Sequence, residues 1–182
     1  MERTQLRKPA TTNTLALAAI VPRQTILRHW NPIPDKVQYR DNPKFGDDLI
    51  NVNWWENLNT DFDDIEKRIR AFADQVAWTK QTEGMKTFGN NDTNDITISK
   101  TESGQFEGFY FRIDLREIDR VFIDFVLTIS KDMDCLLLDS QGNLFEPTYE
   151  NLADKIKTSN SFKFVTNPTD FLNKLGKEID ME

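Results

Sequence analysis

Few residues in this chain have the chemistry to react. The one cysteine, Cys135, sits in the apolar run CLLLD, and the one histidine, His29, sits in LRHWNP. A cysteine nucleophile needs a neighbouring base and a lowered pKa. An apolar run raises a thiol pKa instead, so Cys135 is expected to be a small buried hydrophobe. His29 has no identifiable partner to orient it as a general base and reads as a packing or surface residue. One histidine and one cysteine also exclude a His/Cys zinc site.

The carboxylates come closest to a constellation. Asp61, Asp63, Asp64 and Glu66 crowd one stretch, NTDFDDIEKR. Such a patch resembles a metal site, but acids also belong at a helix N-terminus, where they complement the macrodipole. Asp63–Lys67, Asp64–Arg68 and Glu66–Arg70 stand four residues apart with the acid first, the favourable order for helix pairs. The helical reading is preferred, and no metal and no cofactor are expected. NNDTNDIT supplies oxygen ligands but places Ile96 where a calcium loop needs glycine. Walker, dinucleotide and GxSxG patterns are absent. Carboxylates that pair only in space leave one enzymatic alternative, a small hydrolase.

The other unusual feature is NVNWWENLNTD, with consecutive Trp54 and Trp55. In an extended segment they would point to opposite sides. One can then enter the core while the other stays exposed beside Glu56, Asp61 and Asp64; the competing and preferred reading has both rings cover the edge of the core. Trp is enriched among interface anchors. The candidate partner-binding set is therefore Trp54, Trp55, Glu56, Asp61, Asp63 and Asp64.

Amphipathic elements must position these groups. Phe62, Ile65, Ile69, Phe72 and Val76 recur at helical spacing, with Thr60 or Asp61 as cap and Gly84 as stop. DITISKT and FYFRIDL alternate around a glycine-containing turn and predict a hairpin. EIDRVFIDFVLTISKDM predicts a helix with Ile118, Val121, Phe122, Phe125, Ile129 and Met133 inward. CLLLD, SQGN and LFEP predict a second hairpin. TYENLADKIKTS follows as a helix capped by Thr148, FKFV as a short strand, and NPTDFLNKLGKEI as a helix capped by Asn167. The fold class is α+β: an antiparallel sheet of two hairpins packed by three to four amphipathic helices.

Residues 1–43 differ from this body. They hold five of the seven prolines and read as an arm separable from a single domain over 44–182. Within the arm, TTNTLALAAIVP predicts one short helix. The arm carries seven basic against three acidic residues, a charge of +4, and the rest carries sixteen basic against twenty-seven acidic, a charge of −11. An acidic body repels nucleic acid and suits a basic protein partner. No apolar run approaches the roughly 20 residues needed to span a bilayer. LALAAIV is short for a signal segment and no small-residue cleavage site follows, so a cytoplasmic location is expected.

The stretch DCLLLDSQGNLFEPTYENLADKIKTSNSFKFVTNP resembles the C-terminal part of small acidic bacterial immunity proteins, where an apolar strand, a glycine turn and an EP step lead to a closing helix. The resemblance is one of pattern and covers roughly residues 55 to 175. It implies a cytoplasmic inhibitor that neutralises a basic cognate toxin by occluding its active site. It transfers no specific residues; that neither nucleic acid nor a membrane is a partner is expected from the acidic body and the lack of a spanning run.

Overall fold

The computed structural model describes residues 15–38, 52–77 and 84–172. It is an α+β fold around one six-stranded antiparallel sheet. The strands are β1 (Leu15–Pro22), β2 (Met85–Gly89), β3 (Asp95–Lys100), β4 (Phe106–Asp114), β5 (Cys135–Asp139) and β6 (Leu144–Phe145). Their order across the sheet is β2-β3-β4-β1-β5-β6. The helices are α1 (Arg23–His29), α2 (Phe62–Arg70), α3 (Arg120–Asp132), α4 (Tyr149–Thr158) and α5 (Asn160–Thr166). Residues 168–172 are also helical.

The first departure from the sequence reading is β1. LALAAIVP is a strand rather than a helix, and it lies between β4 and β5. Ala18 and Ala19 pair with Phe111 and Tyr110 on one side and with Asp139 and Leu138 on the other. Ala19, Ile20 and Val21 are almost wholly buried. Seven residues without an internal breaker fit a short helix or a strand covered on both faces equally well. Two facing strands, both apolar, settle the choice. Burial of Ile20 alone contributes about 1.5–3 kcal/mol.

The β3–β4 and β5–β6 pairs are both present. They are not the whole sheet, because MKTFG forms β2 against β3. Gly89 ends β2 with φ +95°, and a Cβ there would meet the Asn94 carbonyl at 2.6 Å. Only glycine fits such a turn. Outside the named strands, each edge of the sheet takes up a further segment. Gln75 bridges to Phe88 beside β2, and Lys36 bridges to Asn143 beside β6. Covering an edge satisfies backbone groups that would otherwise recruit other chains.

Three helical expectations are corrected. α2 ends at Arg70, not near Gly84, and the next residues turn toward the sheet: Val76 N–H donates to Thr87 O at 2.8 Å. Phe72 leaves the helical stripe to stack on Phe125, with ring centroids 4.1 Å apart. α3 buries Phe122, Ile123, Val126, Leu127, Ile129 and Ser130, while Ile118 and Val121 are exposed. Arg120, Asp124, Thr128 and Lys131 recur at helical spacing as the exposed face, so the buried face lies opposite them and Val121 falls beside the polar stripe. FKFV lies in α5 rather than in a strand. Ser159 donates to Ile156 O at the end of α4 and accepts from Phe162 N at the start of α5, so one side chain serves both helix ends.

Candidate partner-binding surface

Residues 52–60 form compact turns rather than an extended strand, and this decides where the tryptophans point. Asn53 Oδ1 accepts from Trp55 N at 3.1 Å, Leu58 N donates to Trp55 O at 3.1 Å, and Asn57 adopts a positive φ of 62°. Thr25 on α1 donates its buried hydroxyl to Trp54 O at 2.7 Å. Trp54 is 2% exposed and lies beside the Trp30 ring; Trp55 is 4% exposed and meets Phe106 edge-on at 4.6 Å. Of the two readings of the pair, the one with both rings against the core holds, and neither Trp stays at the surface as a partner anchor. Alternation holds for extended backbone, and a turn lets both rings face the core.

Glu56, Asp61, Asp63 and Asp64 are exposed. Asp61 caps α2, its Oδ1 accepting from Asp63 N at 2.9 Å and from Asp64 N at 3.3 Å. Asp63 and Asp64 occupy the first turn, where the helix dipole favours negative charge. Asp61 and Asp64 line a cleft of about 440 Å³ whose floor includes Trp55, Ile65 and Met133. Glu56 lines a separate recess of about 310 Å³ with Thr25, Arg28 and His29. Asp63 lines neither. Of the six expected residues, the cleft thus joins Asp61, Asp64 and the edge of Trp55.

Other residues complete the cleft. Asp134 lines it, and Arg68 crosses it to bond Asp132 at 2.7 Å. Arg68 therefore pairs with α3 rather than with Asp64, its neighbour one turn back. Arg23 holds Asp134 at 2.9 Å. The residues DMD at 132–134 are visible in the sequence, but only the sheet brings them beside α2.

Further buried acids each have a cationic partner. Glu66 accepts from Arg70 at 2.7 Å and from Lys86. Burial alone would raise its pKa; the two cations outweigh that and hold it below the usual carboxylate range. Arg116 holds the Asp114 carboxyl low despite burial. Burial raises Asp95, with Arg112 opposing at 2.7 Å. Arg112 also donates to Asn91 O, and Arg116 to Asp92 O, so these pairs brace the 90–94 turn.

Cys135 is buried, with its thiol 3.4 Å from Met133 O, and burial pushes its pKa up to about 12. His29 closes α1 edge-on to Trp30 at 5.8 Å. Among the described residues, no group of three or more His, Cys, Asp and Glu side chains is placed to hold a metal ion, and no helix is long and apolar enough to cross a membrane. Compared with protein-family models, curated proteins and solved structures, this chain matches none of them.

Proposed function

We propose that this protein acts by association: it is an immunity-type inhibitor that binds a basic cognate toxin and occludes its active site. The cleft beside α2 carries the proposal. Its floor is apolar, and Asp61, Asp64 and Asp134 line it. A lysine or arginine of the partner would lay its aliphatic stem on Trp55 and Met133 and bring its head to the carboxylates. The −11 charge after residue 43 would speed encounter with a basic surface. Trp55 contributes from below, by holding the cleft in shape rather than by inserting into the partner, and Trp54 lies outside the cleft beside Trp30.

The test must spare the fold. Asp61 is the α2 cap, so its reversal would confound binding with stability. Asp64→Lys and Glu56→Lys reverse exposed charges outside that cap. Association with the partner recovered from the native host should slow with each reversal and with rising salt; thermal unfolding should stay near wild type for Glu56→Lys, and the cost of a cation in the first turn of α2 is read separately for Asp64→Lys. Recovery of no basic partner, together with hydrolysis of a small substrate, would overturn the reading in favour of the hydrolase.

A further inference from the structure

A second cavity lies away from the acidic cleft. Ala18 on β1 stands opposite Phe111 on β4 and Asp139 on β5, so the three side chains share one face of the sheet. Phe145 is on the same face, because it pairs with Leu137, two residues from Asp139. α4 lies over this face with Leu152 buried and Ile156 half-buried. Between helix and sheet remains a cavity of about 360 Å³. Ala18 contributes only a methyl group to the sheet wall, where a larger residue would fill space.

The walls and the mouth differ in chemistry. Ala18, Phe111, Ile113, Phe145 and Leu152 make the walls apolar. Polar groups come from the β5–β6 turn and from α4 and its junction with α5. Asp139 is already engaged there: Oδ1 accepts from Gln141 N and Asn143 N at 2.9 Å each, and Oδ2 accepts from Asn143 Nδ2 at 2.7 Å. Lys155 is different. Its ammonium lies 5.9 Å from the centre of the Phe145 ring, and no acid among the described residues pairs with it. Apolar walls below a polar mouth, in a volume of a few hundred Å³, suit a small ligand that is itself apolar at one end and polar at the other.

We infer that this cavity binds an amphipathic carboxylic acid. Its hydrocarbon tail lies over Ala18, Phe111 and Phe145, and its carboxylate meets the Lys155 ammonium at the mouth. This assignment does not depend on the partner-binding reading.

Calorimetric titration of the full chain with sodium octanoate and with 1-octanol tests it. Octanoate should bind saturably at one site. Lys155→Gln should weaken octanoate roughly tenfold, the size of one charge-assisted contact, and leave 1-octanol unchanged. Ala18→Leu fills the cavity from the sheet and should abolish both. Ile156→Phe fills it from the helix and decides the matter if the sheet variant fails to unfold cooperatively. Absence of saturable octanoate binding, equal octanoate affinity in Lys155→Gln, or binding that survives filling would overturn the inference.

Discussion

Arg23 holds Glu146 through two hydrogen bonds, Nη1 to Oε1 at 2.9 Å and Nη2 to Oε2 at 2.6 Å, across 123 residues of chain. The same guanidinium donates from Nε to Asp134 at 2.9 Å. One side chain at the exit of the central strand thus ties together both ends of the β5–β6 hairpin. Arg23→Lys cannot reproduce the fork, because an ammonium is a point charge. The groups are partly exposed, so the loss should be modest, about 1 kcal/mol. Urea unfolding should show it, and the difference from wild type should shrink as salt is added.

Removal of residues 1–44 should abolish cooperative unfolding. β1 provides the pairing partner of both β4 and β5. Without it the sheet splits into β2-β3-β4 and the β5–β6 hairpin, each with an open edge and exposed apolar faces. A chain beginning at Phe45 that still melts in one sharp transition would show that the rest of the fold stands without β1.

Cys135→Ser should cost about 1–3 kcal/mol if the hydroxyl is left unsatisfied in the apolar run, and less where it keeps the thiol's bond to Met133 O. Native thiol labelling should be slow and should accelerate on unfolding. Burial raises the thiol from an ordinary value near 9 to about 12, so the folded state favours the neutral form. Wild-type stability should therefore fall as pH rises from about 9 toward 12. Cys135→Ser should lack that alkaline loss, which denaturant titration across this range would detect.

Glu66 should matter in the opposite direction of pH. Its folded pKa lies below the ordinary carboxylate range because Arg70 and Lys86 outweigh burial. Its contribution is present above that range and is lost as pH falls through the folded pKa. Glu66→Gln should destabilise at neutral pH, by on the order of 1–3 kcal/mol. The gap to wild type should close below about pH 4. A gap constant with pH would mean that packing rather than charge sets the cost.

Much of this protein is determined locally. Asp61 and Thr148 cap α2 and α4, because a short oxygen acceptor placed before an apolar stripe satisfies free backbone N–H groups. DITISK and FEGFYFRID alternate and pair, and Cys135 is buried in its apolar run. The phase of α3 was legible in its polar stripe, Arg120, Asp124, Thr128 and Lys131, which is the exposed face. Each of these follows from residues close together in the chain. The tertiary structure decided what depends on distant partners. LALAAIV became a strand because β4 and β5 flank it, not because its own residues prefer one. Trp54 and Trp55 both turned inward because Asn53 and Asn57 fold their segment into turns and Thr25 anchors it from α1. The cleft and the cavity have the same origin. Asp64 shares a cleft with Asp134, and Ala18 shares a cavity with Lys155, only where the sheet brings together segments that periodicity describes one at a time.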